Sequence, residues 1–82
     1  MNAPERPDPP DREPAIRLEH FLKFRGAVAT GGQAKLRIQA GEVRLNGEVE
    51  TRRGRRLRVG DEVELDGQVW RVEASDLRPP AR

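Results

Sequence analysis

The stretch from Gly41 to Arg58, Gly-Glu-Val-Arg-Leu-Asn-Gly-Glu-Val-Glu-Thr-Arg-Arg-Gly-Arg-Arg-Leu-Arg, leaves the chain few ways to fold. Val43 and Leu45 alternate with Glu42 and Arg44, the period of a half-buried strand. Asn46-Gly47 follows, and Val49 and Thr51 resume the alternation beyond it. A two-residue type I′ hairpin turn needs positive φ at both central positions, which Asn tolerates and Gly accepts freely. Arg52, Arg53, Arg55, Arg56 and Arg58 then place five arginines in seven residues. Such a run cannot be core and must form a charged surface.

The rest of the chain supplies the elements to pack behind that surface. Residues 1–14 hold Pro4, Pro7, Pro9, Pro10 and Pro14 among charged residues and have almost nothing apolar to bury, so a disordered tail is predicted there. Leu18, Phe21 and Leu22 fall at helical spacing, with Phe24 and Val28 extending the apolar side, which predicts a helix over 16–25 ending at Gly26. A second helix is predicted over 33–40, capped by Thr30 or Gly32 and followed by Gly41, with Ala34 and Ile38 facing the first helix and Lys35 and Arg37 in solvent. Leu57 and Val59 are expected to return to the core after the arginines. Val63 and Leu65 then form a strand, Asp66-Gly67 a second hairpin turn, and Trp70, Val72 and Ala74 the returning strand. Ser75 to Arg82, with Pro79-Pro80, reads as a second frayed end. The expected organisation is a tail over 1–14, one α+β domain over 15–75 with two N-terminal helices on a small antiparallel sheet, and a tail over 76–82. A folded part of about 60 residues lies near the lower limit for a self-supporting core.

Composition narrows the function. Residues 1–16 carry a net charge of −2, residues 17–58 carry +7 and residues 59–82 carry −3, summing to +2. A basic block between acidic ends is the electrostatic footprint of a polyanion partner. Only two of the sixteen cations are lysines, and arginine's planar fork binds phosphate bidentately where lysine cannot. The chain has no cysteine, and its one histidine, His20, has no companion at metal-ligand spacing. Paired carboxylates in an apolar setting are also missing, so neither general acid–base nor nucleophilic catalysis has candidate residues and no cofactor is expected. Gly31-Gly32 lacks the spacing of a phosphate-binding loop and reads as a tight turn. No apolar run approaches the length of a membrane span, and the expected setting is the cytoplasm.

Taken in order, Leu18-x-x-Phe21-Leu22, Ala34-Lys35-x-x-Ile38, Gly41-x-Val43-x-Leu45-Asn46-Gly47 and Leu57-x-Val59-Gly60-Asp61-x-Val63 resemble the S-four-type RNA-binding domain, with its αL motif. Gly31-Gly32-Gln33-Ala34-Lys35 and Asn46-Gly47-Glu48-x-Glu50-x-Arg52 resemble its compact stand-alone form, the small bacterial YbcJ/YaaA-like proteins. The resemblance implies binding of structured RNA, such as ribosomal or transfer RNA or a ribosomal particle, through the two helices and the start of the sheet. Its basic and polar positions are Lys23, Arg25, Gln33, Lys35, Arg37, Arg44, Asn46, Arg52, Arg53, Arg55 and Arg56. Asn46 serves the turn first. Many relatives join this domain to a catalytic one, for which this chain has no room, so a binding module without chemistry is implied. A DNA-binding role and a protein-interaction module using the arginine loop are the alternatives. A monomer is expected, since neither helix carries a surplus apolar face.

Overall fold

The computed structural model describes residues 15–77; the proline-rich N-terminal segment and residues 78–82 lie outside them. In chain order the elements are β1 (Ile16–Arg17), α1 (Leu18–Phe24), α2 (Gly31–Gln39), β2 (Arg44–Leu45), β3 (Glu48–Val49), β4 (Arg56–Leu57), β5 (Glu62–Leu65) and β6 (Gln68–Arg71), followed by a 3₁₀ turn (Ala74–Asp76). Strands β1 and β4 make an antiparallel pair, and the other four form an antiparallel sheet in the order β3-β2-β5-β6. The architecture is the α+β arrangement expected, two helices with small antiparallel sheets.

Each helix is bounded by local chemistry. Thr30 caps α2, its Oγ1 accepting from the Gln33 amide at 3.1 Å, while Gln33 Oε1 accepts from the Ala29 amide at 2.9 Å. This reciprocal cap starts the helix at Gly31, two residues before the expected position. Both helices close in the same way. Gly26 and Gly41 adopt φ of +78° and +81°, and the amides of Ala27 and Glu42 turn back to the carbonyls of Leu22 and Arg37. That left-handed position carries no Cβ penalty for glycine.

The core is built from Leu18, Phe21 and Leu22 of α1, Ala34 and Ile38 of α2, and Val43, Leu45, Leu57, Val63, Leu65 and Val72 of the strand region, with Ile16 and Val28 beside them. Ala34, fully buried, lets the two helices approach closely. Trp70 is half-buried and packs against this cluster, on the same sheet face as Val63, its cross-strand partner.

Four sequence expectations need correction. Helix α1 begins at Leu18, because Ile16 and Arg17 are extended and pair with Leu57 and Arg56; long-range strand pairing overrides the local helical spacing. Phe24 is 51% exposed, not core. Leu18, Phe21 and Leu22 define the buried stripe, and Phe24 lies about 120° around the helix from its centre. Val59, also expected inside, is 58% exposed. The alternation breaks there because Arg58–Asp61 is a turn, and Asp61 takes the buried place, its Oδ2 accepting from the Arg58 amide at 2.8 Å. Ala74 is exposed in the 3₁₀ turn, since β6 ends at Arg71.

The chain beyond residue 75 also contributes to the fold. Asp76 is 2% exposed and bonds to Arg25 twice, at 2.9 Å to Nε and 3.0 Å to Nη2. Arg25 Nη2 donates to the Arg71 carbonyl at 2.8 Å, and its guanidinium lies 5.2 Å from the centre of the Phe21 ring. Asp76 Oδ2 accepts the Glu73 amide at 2.7 Å within a reciprocal cap of the 3₁₀ turn. The last described turn is therefore fastened to the end of α1. Replacing Asp76 by Ala is expected to lower stability by about 2–3 kcal/mol, because charge-assisted bonds are lost and a partly buried guanidinium is stranded. Urea denaturation with an unchanged slope would check the figure.

Candidate nucleic-acid interface

The arginine loop is anchored through its backbone. The first amides of α1 have no intrahelical acceptor, and Arg17 supplies no side-chain cap. Leu18 N donates instead to the Arg55 carbonyl at 2.8 Å, and Glu19 N to the Arg53 carbonyl at 3.1 Å. The loop thus caps the helix, and the helix fixes the loop. With its carbonyls engaged, the loop can turn its side chains outward.

A second anchor is Glu50. Its amide donates to the Val43 carbonyl at 2.9 Å. One carboxylate oxygen accepts from the Arg52 amide at 3.0 Å and from Arg52 Nε at 3.3 Å; the other lies 3.5 Å from Arg55 Nη1. Nothing local in the sequence marks Glu50 as a tether; that function follows from the sharp turn, in which Arg55 N bonds to the Arg52 carbonyl at 3.2 Å. Leu45, Asn46, Glu48, Val49, Glu50 and Arg55 line an open depression of ≈ 300 Å³ beside the tether.

These anchors divide the arginines. Arg52 is 60% exposed at its side chain even while paired, and Arg53 is exposed. Arg56 is half-buried, and the Arg55 side chain is only 14% exposed, with a buried Nε that has no hydrogen-bond partner. Arg52 and Arg53 are the outward cations of the loop, and Arg55 is mainly part of its frame.

The other expected residues separate in the same way. Lys23, Lys35 and Arg44 are exposed, and no carboxylate lies within salt-bridge distance of them among the described residues. Arg37 reaches Asp66 on the β5–β6 turn and Glu42 after α2; the hydrogen bond to Asp66, then that to Glu42, holds its pKa above the ordinary value. Arg25 is likewise raised, chiefly by its hydrogen bond to Asp76. Asn46 takes φ +53° before Gly47 at +87°, the expected turn. Its side chain is spent there as well, Nδ2 donating to Asp61 Oδ1 at 3.2 Å and Oδ1 accepting from Glu62 N at 2.9 Å. Gln33 is committed to the α2 cap. Arg25, Gln33, Arg37 and Asn46 therefore shape the surface from within, while Lys23, Lys35, Arg44, Arg52 and Arg53 present charge to solvent.

Among the described residues no cluster of His, Cys, Asp or Glu could hold a metal ion, and none of their helices is long and apolar enough to cross a membrane. What the surface can do is bind phosphate, since guanidinium forks held on a fixed backbone lose little further entropy in contacting oxygen.

Comparison with known proteins gives the same frame. The S4 domain sequence profile matches residues 11–73. The chain is 46% identical over 52 residues to the "Probable ribosome maturation protein RlbA" of Bacillus subtilis, covering 63% of this chain and 73% of that protein. It is 35% identical over 63 residues to the "Putative RNA-binding protein YbcJ" of Escherichia coli, covering 77% of this chain and 90% of that protein.

Replacing Glu50 by Ala is expected to cost about 1–2 kcal/mol of stability, through loss of the charge-assisted bonds at Arg52 and Arg55. It should also speed amide hydrogen exchange at Arg52 and Arg55 ahead of the core amides. Exchange followed residue by residue would check this.

Proposed function

The chain belongs to the S4 domain family, and we propose that it is a non-catalytic protein of the cytoplasm that binds structured RNA, specifically ribosomal RNA in a maturing particle. The observation that carries this reading is the arginine loop fastened to the first amides of α1, which holds Arg52 and Arg53 outward before any ligand arrives. The names of the two relatives, one of ribosome maturation and one of RNA binding, support the same class of partner.

The kind of nucleic acid follows from which side chains are engaged. A duplex DNA reader of the helix-turn-helix type uses free polar side chains on its second helix to reach base edges in the major groove. In α2, Gln33 caps the helix and Arg37 is held by Asp66 and Glu42, leaving Lys35 and Gln39 as its exposed polar reach. A-form RNA hides its base edges in a deep, narrow groove and is read through backbone geometry. A short fixed row of arginines suits that task. Lys23, Lys35, Arg44, Arg52 and Arg53 are the phosphate contacts of this reading, with Arg55 and Arg56 behind them.

Two measurements test it. Ultraviolet crosslinking in living cells, followed by sequencing of attached RNA, should concentrate reads in one region of ribosomal RNA; reads no denser than background would remove the proposal. In vitro, a labelled RNA duplex should bind more tightly than DNA of the same sequence. Replacing Arg52 and Arg53 together by Ala should reduce the slope of log affinity against log salt by about 1.4–1.8, or 0.7–0.9 for each lost phosphate contact. An unchanged slope would place the interface elsewhere.

A further inference from the structure

The depression between the β2–β3 hairpin and the arginine loop is lined by polar side chains that are unequally committed. The hairpin and the residue after β3 supply Leu45, Asn46, Glu48, Val49 and Glu50, and the loop supplies Arg55. Asn46 spends both ends of its amide on Asp61 and Glu62. Both carboxylate oxygens of Glu50 hold the arginine loop. Glu48 differs. It is exposed, and among the described residues no cation and no other donor engages its carboxylate, although the next ten residues of the chain hold five arginines.

The position of this acceptor is informative. Glu48 stands directly opposite Leu45 across the hairpin, so their side chains leave the same face of the sheet, a free carboxylate beside an apolar neighbour. The depression measures ≈ 300 Å³, at the lower end of the roughly 300–1,000 Å³ of small-molecule pockets, and suits one flat heterocycle. It also adjoins the phosphate-binding surface, because Glu50, on its wall, lies 3.3 Å from Nε of the outward Arg52.

We infer that this depression receives one unpaired guanine base of the bound RNA, with Glu48 accepting from its Watson–Crick edge. The inference rests on the RNA-binding reading above and adds base selectivity to a surface that otherwise contacts only phosphate. An ionised carboxylate is acceptor-only and offers two oxygens side by side. Guanine alone among the four bases answers with two adjacent donors, N1–H and the N2 amino group. Adenine and cytosine set an acceptor nitrogen beside their amino group, and uracil's one N–H stands between two carbonyls, so each turns a lone pair toward the carboxylate. Base pairing consumes this edge, so the guanine must sit in a bulge or loop, where RNA sequence is chiefly read.

The test is a binding titration with labelled RNA duplexes that differ only in one bulged nucleotide, G, A, C, U or inosine, beside an unbulged control. Wild type, Glu48→Gln and the Arg52→Ala/Arg53→Ala double variant are compared. Wild type should bind the G bulge about tenfold more tightly than the A, C or U bulge, the discrimination of one bidentate pair. Inosine keeps N1–H but lacks the amino group and should fall between. Glu48→Gln should bind the G bulge no better than the others, while its affinity for the unbulged duplex is kept or raised by removal of a negative charge. The double arginine variant should weaken on every duplex yet retain the preference for G. Wild type that binds all bulges alike, or a preference for G that survives Glu48→Gln, would overturn the guanine site and leave the RNA reading standing. Glu48→Gln that tightens all duplexes by one common factor would overturn it too, marking Glu48 as a plain surface charge. Wild type that binds no duplex at low salt would overturn both. Glu48 is exposed, so the variant should melt with wild type, and thermal melts check that lost selectivity is not lost fold.

Discussion

Two backbone hydrogen bonds organise this small protein: those from the first amides of α1, at Leu18 and Glu19, to the carbonyls of Arg55 and Arg53. A helix start without a side-chain cap leaves donors that must find acceptors, and a loop dense in arginine has carbonyls to offer. The exchange satisfies both. It also solves an electrostatic problem, because a row of like charges would otherwise drive an untethered loop toward extended, solvated conformations. Glu50 completes the arrangement from the other side by pairing with Arg52 and Arg55.

Charge in this chain is thus partly internal. The acidic C-terminal third, which by composition alone reads as a counterweight to the basic block, supplies Asp66 to Arg37 and Asp76 to Arg25. Each pairing removes a cation from the outward surface and uses it to join distant parts of the fold. The exposed pairing at Arg37 contributes little to stability. The one at Arg25, with its nearly buried carboxylate, contributes more. Net charge by segment therefore overstates how many arginines meet a ligand, and the pairing partners decide which ones do.

How much could be read from sequence depended on the range of the interaction. The Asn46-Gly47 and Asp66-Gly67 turns, the Thr30 cap and the buried stripe of α1 were legible, since each is set by residues within about one turn of chain. The domain's α+β character and family followed from their order. Ile16 and Arg17 were misread because their partners, Leu57 and Arg56, lie some forty residues away in the chain and no local signal names them. Val59 failed because a buried carboxylate at Asp61 took the place that an apolar alternation assigns to valine. In the interface, residue types were legible but their commitments were not: nothing local distinguishes Arg53, exposed, from Arg55, embedded against Glu50.

The clasp between Arg25 and Asp76 has a consequence for how the chain is made. It joins residues separated by 51 positions, and the first helix receives this support only when nearly the whole domain is available. Synthesis proceeds from the N-terminus, so Asp76 joins the chain after α1 and the arginine loop have been made. The clasp can close only when the last described turn is present. A chain cut short before that point would carry the cationic loop on an unclasped scaffold, exposed to proteases that sample open states.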